Sequence, residues 1–225
     1  MKKTIILIAL IFVSIATMSQ TKYGVRAGMS LSTYNSAQSL YQFKPGIHIG
    51  GVADIPIGSS RFSFLPGVYF ADKGTKVEGF PSIEGHFFVA PDPLYLKVTH
   101  YNYQLEIPLL FTYNIPINEK LTLKPQIGAY VSYTIFGRIN EKIDYVGGYL
   151  NAPTDKETSK DYFFYDGNYF GLGGNVGLSA FYNKYSFTLS CDVGDSFNKF
   201  KRVYYSEYGY YYPDICMFFS LGYNF

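Results

Sequence analysis

The chain has 225 residues and a formal charge of +2, and 20% of it is aromatic, with Tyr 24, Phe 20 and Trp 0 beside Gly 22 and Pro 11. That length fits one domain, since all-β barrels of this size are commonly single units, and the aromatic load favours strands over helices. Lys2 and Lys3 account for the whole excess of 19 basic over 17 acidic residues, so once a leader is removed no basic footprint for nucleic acid remains.

The leader is "MKKTIILIALIFVSIATMSQ". Two lysines, an apolar stretch from Ile5 to Val13 and small residues at Ser14, Ala16 and Ser19 give the layout of a secretory signal peptide. It is expected to span residues 1–19 and to leave a barrel domain over 20–225. Beyond it no run of 18 uncharged apolar residues occurs, so a spanning helix is excluded on length. An exported chain of this composition crosses a bilayer only through strands.

Period two places the strands in turn, because successive side chains of a strand point to opposite faces. "YGVRAGMSLS" sets Tyr23, Val25, Ala27, Met29 and Leu31 against Arg26 and its small neighbours. "GIHIGGVADI" sets Ile47, Ile49 and Ile55 against His48, Val52 and Asp54, and "RFSFLPGVYF" aligns Phe62, Phe64, Val68 and Phe70. "YLKVTHYNYQLEIPLLFTY" carries Tyr101, Tyr103, Leu105, Ile107, Leu109, Phe111 and Tyr113 on one side, with Gln104, Glu106 and Thr112 on the other. "LTLKPQIGAYVSYTIF" opposes Leu121, Leu123, Ile127, Val131, Tyr133 and Ile135 to Lys124 and Gln126. "YFGLGGNVGLSAFY" and "YSFTLSCDVG" follow, the second aligning Phe187, Leu189, Cys191 and Val193 against Asp192. The stretch from Ile215 to Phe225 makes the eighth strand.

Short connections are expected at 56–60, 114–120 and 183–184, and long ones at 33–44, 72–94, 137–168 and 198–213. Short turns on one rim and long loops on the other is the plan of an outer-membrane barrel. Closing eight strands leaves an interior just wide enough for side chains. A bed of Gly and Ser with Arg26, His48, Asp54, Glu106, Lys124 and Asp192 cannot be a hydrophobic core, so the apolar face must look outward. The expected fold is an all-β, eight-stranded, antiparallel, transmembrane up-and-down β-barrel with a polar, filled lumen built on those six residues.

The segments "YGVRAGMSLS", "FLPGVYFADKG", "YNYQLEIPLL", "KPQIGAYVSY" and the terminal "SLGYNF" together resemble the PorT-like outer-membrane β-barrel proteins of Bacteroidota. The resemblance implies an outer-membrane location and an eight-stranded barrel, and it brings no catalytic motif. Phe219, Leu221, Tyr223 and Phe225 also resemble the terminal signal by which the barrel-assembly machinery recognises its clients.

The functional expectation is a structural or interaction role: envelope integrity, adhesion or accessory contact, with no enzyme activity, cofactor or metal site. The alternatives are a narrow channel or transporter for protons or small solutes and, as a third reading, a rim hydrolase using His100 with Asp92; His86 stands in a long loop without any metal-ligand spacing. The tyrosine-dense "YYSEYGYYYPD" offers Tyr204, Tyr205, Tyr208, Tyr210, Tyr211 and Tyr212 as a contact surface, because tyrosine gives large amphipathic area at low entropic cost. Expected partners are outer-membrane lipid, the assembly machinery and an extracellular protein or glycan. The termini are expected on the periplasmic side and the long loops outside. Cys191 and Cys216 fall on opposite faces of neighbouring strands and are expected to remain free thiols.

Overall fold

The computed structural model describes residues 21–34, 41–79, 94–145, 156–163, 170–196 and 214–225. Among them, eight long strands carry the architecture: β1 (Lys22–Tyr34), β2 (Lys44–Pro56), β3 (Phe62–Gly79), β4 (Leu94–Tyr113), β5 (Leu121–Tyr145), β6 (Phe170–Tyr182), β7 (Tyr185–Ser196) and β8 (Asp214–Asn224). Three shorter pieces, Tyr41–Gln42, Ile115–Pro116 and Lys156–Phe163, pair with β3, β5 and β5.

Each long strand pairs antiparallel with the next, and β8 pairs with β1, so the ring is closed. Following the ladder from Tyr34 through Asp214, Gly194, Gly173 and Tyr130 to Pro108, across to Gly67 in the register set by the Pro66–Leu109 and Tyr69–Glu106 pairs, and on through Val52 returns to β1 at Gly24, ten residues along the strand. In a barrel of eight strands, stagger and tilt are linked, and the strands lean about 35–45° from the axis.

The connections at the terminal end are tight for local reasons. Asn183 takes a left-handed φ of 55° in the two-residue link between β6 and β7, a conformation asparagine tolerates better than most residues. Gly58, at φ 58°, does the same between β2 and β3. Between β4 and β5, Asn118 Oδ1 accepts from the amides of Lys120 (2.9 Å) and Leu121 (2.8 Å). The last strand does not fray, because the Phe225 amide donates to Tyr23 O (2.9 Å) and the Asn224 amide to Lys184 O (2.7 Å).

The outward face is apolar along the ring. Ile47, Ile127 and Leu221 are 64%, 66% and 69% exposed, while the charged Arg26, Glu106 and Asp192 are 4%, 4% and 3% exposed. This distribution is the reverse of a water-soluble barrel, and it matches a lipid-facing wall. On β4 the outward apolar run lies between Tyr113 and Tyr103. Ten residues at ~3.4 Å each, tilted by ~40°, give a band about 26 Å tall, close to the height expected between the two aromatic girdles.

The strands are longer than the alternation indicates. The 72–94 and 137–168 connections are in part strand: β3 continues to Gly79 and β5 to Tyr145, and Lys156–Phe163 adds to β5. The alternating code exists only where one face meets hydrocarbon. Above the belt the ladder continues while the outward residues are free to be polar, so the period disappears. At 18, 20 and 25 residues, β3, β4 and β5 rise past the other strands of 11 to 13, forming a tall wall on one side. A bulge between Tyr103 and Gln104 leaves Ile135 as the extra residue of β5 and puts Phe136 opposite Tyr103.

An arginine at Ile107, near the middle of the β4 band, is expected to lower folding stability by about 2–4 kcal/mol in lipid vesicles. Denaturant titration of Ile107→Arg reads this directly; an unchanged midpoint would mean that the face does not meet lipid.

Candidate functional site

The interior is built from small residues on most inward positions and a few large ones. Where the large ones stand, the neighbouring strands are cut back to glycine. Tyr130 on β5 is 5% exposed and points inward. A Cβ at Gly194 would lie 2.0 Å from its hydroxyl, and one at Gly173 would lie 2.6 Å from its ring, so both glycines form the slot in which the tyrosine lies.

The centre of this filling is Lys73. Its Nζ donates to Glu106 Oε1 and, at 2.9 Å, to Asp192 Oδ2. The same ammonium stands 4.7 Å from the centroid of Tyr130 and 5.1 Å from that of Phe218, a range in which a cation is attracted to a ring face. Asn175 Nδ2 donates to the other oxygen of Asp192. Two carboxylates and two rings, from four other strands, thus meet on one cation.

Beside this hub, His48 Nε2 and Ser220 Oγ lie 2.7 Å apart, and the His48 ring meets Phe218 edge-on at 4.8 Å. Toward the terminal end Lys124 is ion-paired with Asp54, and its Nζ lies 4.6 Å from the Phe181 ring, with Arg26 on that ring at 5.9 Å. Toward the other end Lys44 pairs with Asp72 at 2.6 Å, and Tyr34 Oη bonds His100 Nδ1.

All six residues named from the sequence as luminal, Arg26, His48, Asp54, Glu106, Lys124 and Asp192, lie inside the ring, His48, Glu106 and Asp192 about the hub and Lys124 with Asp54 toward the terminal end, with Arg26 between the two sets. Among the described residues no carboxylate lies within ion-pair distance of Arg26, although it lines the same cavity as Glu106 and Asp192. Within that cavity wall and hub, two cations, Arg26 and Lys73, face two carboxylates. The space left between these groups is about 40 Å³. That admits a few waters and no solute.

The sequence reading missed Lys73, Lys44 and Asp72, which it assigned to loops, and Tyr130 and Phe181, whose size hid their inward phase. Gly173 and Gly194, on the strands next to Tyr130 in the ring, were the available signal for the plug. His100 is 7% exposed and bonded to Tyr34 inside the upper barrel; Asp92 and His86 lie outside the described residues. Tyr204, Tyr205, Tyr208, Tyr210, Tyr211 and Tyr212 also lie outside them. Phe219, Leu221 and Phe225 face outward and exposed on the last strand with Tyr223 half-buried among them. Cys191 and Cys216 are free thiols, and Cys216 is buried against Ala71 and Phe218.

The model of the outer membrane protein beta-barrel domain family matches residues 18–202. The chain belongs to that family. The protein is therefore an outer-membrane barrel, and the lipid its wall meets is that of the outer membrane. Among solved structures it is similar to Ail, the attachment invasion locus protein of Yersinia pestis, at 13% identity over 91% of this chain and 98% of that one, with a TM-score of 0.38. It is also similar to a major outer membrane protein from Thermus thermophilus, at 14% identity over 91% and 99%, with a TM-score of 0.45. Neisserial surface protein A gives 16% identity over 90% and 95%, with a TM-score of 0.38. No curated protein matches the chain.

In this outer-membrane barrel, Lys73→Met would leave Glu106 and Asp192 buried without their cation. A loss of about 3–5 kcal/mol is expected, the size seen when one partner of a buried pair is removed. Adding Glu106→Gln and Asp192→Asn to Lys73→Met should recover part of it. A Lys73→Met barrel as stable as the parent in urea would show that the hub does not hold the lumen together.

Proposed function

We propose that this outer-membrane barrel is a closed scaffold whose role lies in contacts made outside its lumen: envelope integrity, adhesion or an accessory contact for another envelope component. The observation that carries this reading is the filled interior, where Lys73, Tyr130 and the carboxylates leave about 40 Å³. Such a space holds waters and stops a solute, which weighs against the channel reading. His100, engaged with Tyr34 and almost wholly buried, is poorly placed to meet a substrate, which weighs against a rim hydrolase.

The orientation belongs to the same proposal. Tight turns and both termini share one end, and in barrels of this kind that end faces the periplasm. The tall wall of β3, β4 and β5 then stands on the extracellular side, with the tyrosines of 204–212 as a contact for an extracellular protein or glycan. A signal peptide over 1–19 supplies the export route, and Phe219, Leu221, Tyr223 and Phe225 the outward apolar terminus offered to the assembly machinery. Placement among the PorT-like barrels is supported by the quoted segments, of which "KPQIGAYVSY" contains the Tyr130 plug.

Purified protein in planar bilayers tests the scaffold. No steady unitary current is expected at any applied potential. A reproducible open level would replace the scaffold with a channel.

A further inference from the structure

Where the strands end beside the termini, their inward faces open into a vestibule of about 390 Å³. That volume is within the range of small-molecule sites, and barrel mouths are a common place for them. The vestibule shares no lining residue with the space of about 40 Å³ at the hub, which lies deeper and is closed around Lys73. A solute entering here meets a filled lumen, so the vestibule is a seat and not the start of a route.

Its charges do not balance. Lys22, Arg61 and Lys124 line it with one carboxylate, Asp54. Lys124 is ion-paired with Asp54 and lies, with Arg26, against the Phe181 ring. Lys22 stands opposite Asp54 in the strand register but makes no ion pair with it, and among the described residues no carboxylate lies within ion-pair distance of Lys22 or Arg61. The backbone that carries Arg61 is fixed, since its carbonyl accepts from the Asn114 amide at 2.7 Å and from Asn114 Nδ2 at 2.9 Å. Two uncompensated cations on a concave mouth draw anions toward it, because low-dielectric walls focus their field.

The neutral groups narrow the class of anion. Thr122 and Asn183 line the same space, and among the described residues neither side chain is engaged in a hydrogen bond. A hydroxyl and a carboxamide both donate and accept, as a peptide backbone requires. Asp54 keeps one oxygen without a donor, so the wall sets negative potential against a phosphate dianion but tolerates single carboxylates that alternate with N–H groups. We infer that the vestibule seats an acidic peptide segment of a periplasmic partner, its carboxylates on Lys22 and Arg61 and its backbone on Thr122 and Asn183. The inference deepens the proposed scaffold role by naming the chemistry of one accessory contact, and it rests on the proposed orientation, with the termini in the periplasm.

The test titrates the full chain in uncharged detergent micelles with the peptide acetyl-Ala-Glu-Ala-Glu-Ala-amide at low salt, read by calorimetry. Saturable binding is expected. Lys22→Gln/Arg61→Gln, at two exposed positions, should weaken it by about tenfold or more while keeping the heat-modifiable gel migration of a folded barrel. Lys97→Gln/Lys142→Gln removes the same charge at the other end and should leave the affinity unchanged. The peptide with both Glu replaced by Gln should bind the parent at least as weakly as the Glu peptide binds the first variant. Equal affinity of parent and Lys22→Gln/Arg61→Gln overturns the site, and glutarate or inorganic phosphate bound as tightly as the peptide overturns the peptide ligand in favour of small anions. Failure here is distinct from failure of the scaffold, which bilayer current reads without any peptide. The orientation is read separately: Glu119→Cys, exposed in the turn between β4 and β5, should react with a polymer-linked maleimide only after the outer membrane is opened. Reaction in intact cells overturns the periplasmic source.

Discussion

Hydrocarbon offers no hydrogen-bond partner to a peptide group, so a sheet that crosses it must have no edge. The pairing of β1 with β8 meets that requirement, and the rest of the molecule follows from how it is met. Eight strands with a stagger of ten residues give a narrow tube, and a narrow tube has room for one or two large side chains per level. Glycine and serine must occupy the rest. The interior that results has little apolar surface to bury: Val52, Leu65 and Leu110 form one small cluster with Tyr69, and Ala71, Cys216 and Phe218 another. Cohesion of the lumen passes to ion pairs and hydrogen bonds, and cohesion of the wall to the ladders and the lipid.

Ion pairs in such a place are expensive to form, because each charge is withdrawn from water. The hub answers this by concentrating contacts. A single ammonium serves two carboxylates and two ring faces, and Asn175 takes the second oxygen of Asp192. The glycine slot for Tyr130 belongs to the same solution. With Gly173 and Gly194 on adjacent strands the ring lies close against their backbone, and a side chain at either site would collide with it. Lumen closure is thus a property of strand register as much as of charge, since a slip of one residue would turn both glycines outward.

How far the fold was legible in the sequence depends on what each face touches. Between Phe62 and Phe70, or Leu105 and Phe111, one side meets lipid and the other the lumen, and the alternation names both. Past Phe70 the lipid constraint ends, and "ADKG" reads as a turn although Ala71, Lys73 and Thr75 point into the ring and Asp72, opposite Tyr103, is buried against Lys44. The central cation was therefore invisible while its partners, Glu106 and Asp192, were not. Tyr130 and Phe181 were obscured for the opposite reason: aromatic residues are so common on the outer face that two inward ones look like members of it. The bulge at Tyr103 and Gln104 left no mark in the pattern, because Ile135 and Phe136 are both apolar and either could have continued the outward phase.

The same reasoning locates where this protein can differ from other barrels. Inside, every substitution must respect the slot, the hub or the glycine bed. Along the band, every outward residue must be apolar. Only above the belt do the strands keep their pairing while losing both constraints, and it is there that β3, β4 and β5 run longest and carry Glu78, Lys97, Arg138 and Lys142 on a rigid ladder. A charged site on paired strands is held more closely than one on a loop. The tall wall joins a surface free to vary in chemistry to a backbone fixed in position, which is the combination that selective contact at the membrane face requires.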